Sequence, residues 1–202
     1  VFNSVFDKYD IMNDLMSLGI HRLWKQRLIE WMNPKKNDHL IDMATGTGDV
    51  AAAFLKRLKN QGQVNCVDPN SHMINEGKKK LKHLKNISWH VSSAENLPFK
   101  DNIFDIYSVS FGVRNFSNPK KALKEAQNEI LNKAYKAYSK AIPLLGKYIV
   151  GDNEPYDYLI KTIEDFYDQE TFKRVIIESG FDNVEYRNLS GGVVAIHSAW
   201  KI

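Results

Sequence analysis

One cysteine, Cys66, occurs in 202 residues, and that scarcity removes several classes of protein at once. No disulfide framework can form, and no cysteine-based metal centre can be assembled. Cys66 lies inside an apolar run, where a small buried hydrophobe is the simplest reading. No apolar stretch is long enough to cross a bilayer. Internal repeats, low-complexity tracts and inter-domain linkers are missing too, so one domain over residues 1–202 is expected. A basic stripe with interleaved aromatics, the footprint of nucleic-acid binding, is not found. The formal charge is +4, and its excess sits in lysine clusters (Lys78, Lys79, Lys80, Lys82, Lys85 and Lys120, Lys121, Lys124) on helices expected at the surface. No metal site is expected.

What the chain does have is a regular alternation of strand and helix patterns. An amphipathic helix is expected over 21–32, stopped near Pro34, then a strand over 38–43 and a helix over 49–59. A second strand covers 63–67, and Ser71 is placed to cap a helix reaching about Leu84. Strands at 87–91 and 106–110 precede a helix over 118–127, with Pro119 in its first position. A helix over 169–179 stops at Gly180. Two β runs, 181–189 and 193–201, are joined by Ser190-Gly191-Gly192 as a hairpin. The sum is an α/β fold: a doubly wound, mostly parallel seven-stranded sheet, Rossmann-like, with a C-terminal antiparallel hairpin. With 43% hydrophobic residues the length suffices for one three-layer core.

One strand is out of place. After the helix ending near Gln127 a fifth strand should follow, yet Asn128 leads into a run that reads as helix. A segment is missing at about Gln127/Asn128; a sheet without it exposes unpaired backbone. The first residue, Val1, is not methionine, so any targeting signal is out of view.

The run Leu40-Ile41-Asp42-Met43-Ala44-Thr45-Gly46-Thr47-Gly48-Asp49 carries the most chemistry. A strand ends in a carboxylate, then in a glycine turn that opens a helix. Gly46 and Gly48 let a ligand lie against the main chain. Twenty residues after Gly48 the second strand ends in Asp68, placed to accept from two vicinal ribose hydroxyls. Gly46, Gly48 and Ala51 also satisfy the nicotinamide spacing G-x-G-x-x-G/A. That reading puts a pyrophosphate on the helix N-terminus, where Asp42 and Asp49 would repel it. A cationic ligand such as S-adenosylmethionine would instead be attracted. At the end of the third strand, Ser93-Ala94-Glu95-Asn96-Leu97-Pro98-Phe99 followed by Asp101, Phe104 and Asp105 has the form of an adenine-holding loop.

The amino-terminal segment carries Y-D-x-M-N-x-x-x-S-x-x-x-H-x-x-W between Tyr9 and Trp24. With TGTGD, AENLPF, Ser110-Phe111-Gly112-Val113-Arg114-Asn115 and the stretch from Asn188 to His197, it closely resembles the ubiquinone/menaquinone biosynthesis C-methyltransferases. The family's second signature, R-V-x-K-P-G-G … E-x-S around the fifth strand, is absent. The resemblance implies C-methylation, with S-adenosyl-L-methionine, of a polyprenylated quinol: 2-methoxy-6-polyprenyl-1,4-benzoquinol, demethylmenaquinol or both. Matching positions put cofactor contacts at Thr47, Asp68, Ser93, Ala94 and Ser110, within an expected binding set that adds Asp42, Thr45, Gly46, Gly48, Pro69 and Glu95.

C-methylation needs an electron-rich quinol ring aligned with the methyl group and kept from water. Arg114 is expected to stabilise the developing quinolate oxyanion, with Asn115 as a further donor. Arginine is too basic to accept the proton, so His197, Tyr9, Asp10 and His21 stand as candidates, unranked. Residues 1–33, rich in Phe, Met, Leu and Trp, are expected to form a helical lid that contacts the isoprenoid tail and a membrane surface. Expected partners are therefore the quinol, a peripheral membrane contact and a homodimer or quinone-biosynthesis complex, with no nucleic acid. The expected location is the cytoplasm, peripheral on the inner face of the cytoplasmic membrane, or the mitochondrial matrix side in a eukaryote. Three readings compete: a methyltransferase of the same fold acting on RNA or another small molecule, a non-catalytic S-adenosylmethionine-binding subunit, and a nicotinamide oxidoreductase.

Overall fold

The computed structural model describes residues 19–129, 161–162 and 165–202. Helix α1 (Ile20–Met32) buries Trp24, Leu28, Ile29 and Met32, a stripe at the three-and-four spacing of one helix face. Burying Leu28 and Ile29 contributes about 1.5–3 kcal/mol each. The helix stops at Asn33, whose left-handed backbone (φ 45°) turns its N–H onto the Ile29 carbonyl before Pro34. Trp24 Nε1 donates to Ser190 Oγ at 3.0 Å, and the Arg187 guanidinium sits 4.4 Å over the Trp31 ring. Within residues 1–33, expected as a lid, these contacts pack one face of α1 against the domain and leave Ile20 and Leu23 exposed, and residues 1–18 lie outside the described residues.

Four strands make the parallel sheet: β1 (His39–Met43), β2 (Gln63–Asp68), β3 (Ile87–Val91) and β4 (Ile106–Val109), in the order β3-β2-β1-β4. Between β1 and β4 the winding reverses, which opens a crevice beyond the carboxyl ends of those strands. Asp42 is in register with Cys66 on one side and Ser108 on the other. Helix α2 (Asp49–Arg57) joins α1 over the face bearing Leu40, Val64, Cys66 and Ile106. The opposite face, with Ile41, Met43, Val67, Tyr107 and Val109, is covered from α4 (Pro119–Glu129) and α5 (Gln169–Glu178). Helix α3 (Ser71–Lys80) is capped by the Asn70 side chain, which accepts from the N–H groups of His72 and Met73. That cap lies one residue ahead of the expected Ser71, and the helix ends short of Leu84.

The hairpin forms as expected. Strands β5 (Asp182–Leu189) and β6 (Val194–Trp200) pair antiparallel, joined by a turn at Ser190–Gly192 in which all three residues have positive φ. Among the described residues there are thus six strands where seven were expected. β4 pairs with β1 alone there, and the hairpin makes a separate two-stranded sheet. The chain is continuous through Gln127/Asn128, where α4 carries on to Glu129. The residues between α4 and Lys161 lie outside those described.

Candidate active site

The crevice is built from three strand ends. Asp42, 1% exposed at the end of β1, accepts from Thr45 Oγ1 (2.6 Å) and Ser108 Oγ (2.7 Å). Burial raises its carboxyl to about 6, and those two hydrogen bonds hold the rise in check. The turn that follows needs left-handed backbone at Ala44 (φ 53°), Gly46 (φ 58°) and Gly48 (φ 86°). Nothing lies within 4 Å of a Cβ built on Gly46, so the main chain there faces open space. At Gly48 the reason for glycine is packing: a Cβ would stand 2.8 Å from Leu81 and 2.9 Å from Trp89. Trp89 is in turn seated on Gly77, where a Cβ would come within 2.4 Å of the indole. The indole therefore props the glycine turn against α3.

Asp68 ends β2 and fastens the same turn. Its Oδ2 accepts from Gly46 N–H (3.0 Å) and its Oδ1 from Asn70 N–H (2.9 Å). Burial raises this carboxyl as well, opposed by those two donors. Each carboxylate oxygen keeps a second lone pair, so the ribose role assigned to Asp68 is compatible with both bonds. Pro69 follows, exposed.

Asp49 behaves differently from the sequence-based expectation. Lys25 of α1 reaches its Oδ2 at 2.6 Å, and Lys80 of α3 reaches its Oδ1 at 2.8 Å. Lys80 also donates to Thr47 Oγ1 at 3.1 Å. Burial alone would raise the Asp49 carboxyl, but the two ammonium groups overcome that and hold it far below the usual carboxylate range. Asp49 is thus an anion balanced twice over. Its repulsion of a pyrophosphate is cancelled, and the case against a dinucleotide rests on Asp42 and the comparisons below.

Ser93 is half-buried and Ala94 is buried in the loop after β3. Glu95, expected at the cofactor, has Oε1 accepting from the Asn118 N–H just before α4, so its carboxylate serves the helix start. Phe99 meets Phe104 edge-on at 5.0 Å and His90 at 4.9 Å, which makes these rings core packing behind the loop. Beyond β4, Ser110 is half-buried and Phe111 is held at φ 61°, a conformation that costs a bulky side chain about 1–2 kcal/mol. The turn is forced by close contact: a Cβ on Gly112 would lie 2.3 Å from the Ala44 Cβ. The exits of β1 and β4 are thus pressed together. A short 3₁₀ helix, Val113–Asn115, then presents Arg114 half-buried and Asn115 exposed. Trp24 stands with its ring 6.1 Å from that of Phe111.

His197 does not join this group. It is 1% exposed on β6, with Nε2 on the Gln169 backbone carbonyl (2.9 Å) and its ring against Phe172 and Tyr186. Burial lowers it to about 4 despite the Gln169 carbonyl, so it is neutral at physiological pH and a poor proton acceptor. His21 is buried on α1. Tyr9 and Asp10 lie outside the described residues. Sequence reading missed Lys25, Lys80, Trp89 and Ser108. Of these Ser108 left a signal: a hydroxyl within the buried run Ile106-Tyr107-Ser108-Val109 needs a partner, and Asp42 is its register neighbour.

The glycine turn at the switch point, with strand-end carboxylates at Asp42 and Asp68, defines a class I S-adenosylmethionine-dependent methyltransferase. Solved structures share that fold. A SAM-dependent methyltransferase from Aquifex aeolicus superposes with a TM-score of 0.72 at 19% identity, covering 95% of this chain and 97% of that one. A possible histamine N-methyltransferase from Thermotoga maritima gives 0.69 at 18% identity, over 100% of this chain and 96% of that one. The chain belongs to the ubiE/COQ5 methyltransferase family, whose model matches residues 1–128 and 125–201. It is 43% identical to the ubiquinone/menaquinone biosynthesis C-methyltransferase UbiE of Ruegeria sp. (strain TM1040), over 100% of this chain and 89% of that protein. Against UbiE of Rickettsia prowazekii (strain Madrid E) the figures are 44%, 100% and 91%. These alignments run over 224 and 227 positions against a chain of 202, and the family match divides at 125–128. That is the place where the sequence lacks its expected strand.

Proposed function

We propose that this chain methylates a ring carbon of a polyprenylated quinol, 2-methoxy-6-polyprenyl-1,4-benzoquinol or demethylmenaquinol, in ubiquinone/menaquinone biosynthesis. The observation that carries the reading is the two strand-end carboxylates at the sheet's switch point, Asp42 held by Thr45 and Ser108 and Asp68 held by the Gly46 N–H, in a chain that matches named C-methyltransferases over its full length.

When bound, S-adenosylmethionine supplies an electrophilic methyl group on a positively charged sulfur. The protein residues do the rest. Asp68 would accept from the ribose hydroxyls, and the open main chain at Gly46 would receive the cofactor without a side chain in the way, with Thr47 beside it. Ser93, Ala94 and Ser110 complete the binding set. Arg114, on the 3₁₀ helix beside the β4 exit, stabilises the quinolate oxygen as the ring turns electron-rich, with Asn115 as an added donor. The ring carbon gains the methyl and loses its proton to water or to a group from the amino-terminal segment. Exposed Ile20 and Leu23 at the start of α1 support contact with the isoprenoid tail at a membrane surface. No helix among the described residues is long and apolar enough to cross one.

The test uses the purified chain, S-adenosylmethionine with a deuterated methyl group, and each demethylated quinol kept reduced. Mass spectrometry should find one labelled methyl on a ring carbon. Cofactor binding without label on either quinol would overturn the acceptor assignment. Co-sedimentation with liposomes tests the membrane contact separately.

A further inference from the structure

At the exit of β4 the chain makes a turn that its side chain does not favour. Nine non-glycine residues among those described have positive φ, and five of them are asparagines, which tolerate that conformation. Phe111, at φ 61°, is the one aromatic residue in the set. A glycine in its place would adopt the same angle freely. The Phe111 ring lies 6.1 Å from that of Trp24 and at 46° to it. An aromatic pair of this kind stabilises by no more than the strained backbone costs. Phe111 is only half-buried, so burial adds less than it would for a core phenylalanine. Packing alone therefore does not account for a phenylalanine at this position.

The strained angle sets where the ring goes. Side chains along a strand alternate between faces, and in β4 Tyr107 and Val109 lie on the side covered by α4 and α5, whereas Ile106 lies on the side covered by α1 and α2. Continued in register, residue 111 would join Tyr107 and Val109. The left-handed turn instead brings its ring against Trp24 of α1, across the carboxyl edge of the sheet. Ser110 of the expected cofactor set comes just before it, and the 3₁₀ helix that carries Arg114 begins two residues after it. On α1, Ile20 lies one turn ahead of Trp24 and Leu23 lies next to it, and both are exposed. An apolar surface thus runs from the Arg114 helix through Phe111 and Trp24 to aliphatic side chains. A quinol with an isoprenoid tail has its parts in the same order: a ring oxygen, a flat ring, then a branched aliphatic chain. We propose that Phe111 determines acceptor specificity by stacking its ring on the quinol ring. The quinol oxygen then points toward Arg114 and the tail toward Trp24 and Leu23. This rests on the quinol reading above and adds to it the residue that selects a flat acceptor.

Quinol kinetics and cofactor calorimetry on the full chain test it. Phe111→Leu keeps an apolar side chain but loses the ring face, and it should raise KM for the quinol about three- to ten-fold. Phe111→Gly relieves the backbone strain, so it should fold at least as well as Phe111→Leu, and KM should rise by as much or more. Affinity for S-adenosylhomocysteine should stay unchanged in both. A further arm uses two competitive inhibitors that share one isoprenoid tail, a fully ring-substituted hydroquinone and the corresponding saturated cyclohexanediol. The unaltered chain should prefer the aromatic compound by about three- to ten-fold, and Phe111→Leu should abolish the preference. Unchanged KM in both variants would leave the ring as packing for Trp24 alone and overturn the proposal. Equal inhibition of the unaltered chain by the two compounds would overturn it as well. So would a loss of cofactor affinity in parallel with KM, which would make Phe111 a brace for the β4 exit. An unaltered chain that methylated no quinol at all would instead sink the acceptor reading on which the proposal stands.

Discussion

Asp42 on β1 and His197 on β6 are equally buried, at 1% exposure each, and both are titratable groups moved well off their ordinary values. Their surroundings set them apart. Asp42 stands where three strand ends converge, held by Thr45 and Ser108, beside a turn with open space at Gly46. His197 stands under α5 among Phe172 and Tyr186, its Nε2 committed to the Gln169 carbonyl. Both were candidate functional residues on sequence. The difference teaches that a buried, shifted group marks a site only where the fold also brings other polar groups and open space to it.

The largest effect should separate the two regions by rate. Arg114→Ala, at the convergent edge, should lower turnover by about 10²–10³-fold while S-adenosylmethionine affinity stays near normal. His197→Gln should leave turnover per folded molecule within about two-fold, because its bond to Gln169 stabilises structure alone. Steady-state kinetics with calorimetric cofactor binding reads both. A His197→Gln enzyme as impaired as Arg114→Ala would place the histidine back in the site.

The second test uses pH, because the two groups pull stability in opposite directions. Asp42 is raised in the folded state to about 6, so its proton is held more tightly there than in the unfolded chain. Its contribution to stability is fully present below the unfolded carboxylate value near 4 and is lost as pH rises through about 6. His197 is lowered to about 4, so the unfolded chain binds its proton more tightly. Its contribution is therefore lost as pH falls from about 6.5 to about 4. Each change amounts to about 3 kcal/mol, and between pH 4 and 6 they largely offset. Relative to the unaltered chain, Asp42→Asn should make stability climb with pH across that window, and His197→Gln should make it fall. Urea melts at pH 4, 5 and 6 measure this. Parallel curves for all three proteins would show that neither shift is real.

How much of this could be read in advance follows the distance over which each feature is encoded. The glycine turn was legible because Asp42, Gly46, Gly48 and Asp68 announce a strand exit, a close approach and a second strand exit within one βαβ unit. The hairpin at Ser190–Gly192 was legible for the same reason. Lys25–Asp49 and Trp89–Gly77 were not, since each pair is brought together only when helices settle onto the sheet. Asp49 was read as an unopposed acid because its two lysines lie 24 and 31 positions away. What the apolar face of helix α1 packs against was not legible, because its apolar residues say only that something must cover them. At 127/128 the sequence shows a break in an otherwise regular alternation, and the family match divides at the same place.

Gly77→Ala probes the prop beneath the turn. The new methyl would stand 2.4 Å from the Trp89 indole, and the ring must move against Gly48 or α3 must shift. Overpacking of this kind costs about 1–3 kcal/mol. Cofactor affinity should fall along with the melting temperature, since the displaced ring bears on the cofactor turn. A stability loss with unchanged affinity would show that the prop ends at α3.

The smallest expected effect lies on a hydrogen bond that joins the two regions compared above. Trp24 reaches from α1, beside Phe111 at the β4 exit, to Ser190 at the tip of the hairpin. Trp24→Phe keeps an aromatic ring against Phe111 and removes the indole N–H from Ser190 Oγ. The partner residue Ser190 is exposed and its hydroxyl can turn to water, so the loss should be only about 0.5–1.5 kcal/mol, seen as a small drop in melting temperature. Turnover should hold, because the hairpin supports α1 from outside the crevice. If turnover instead falls by more than stability explains, the hairpin tip shapes the quinol site, and the division between a reactive edge and a supporting hairpin has to be redrawn around Ser190.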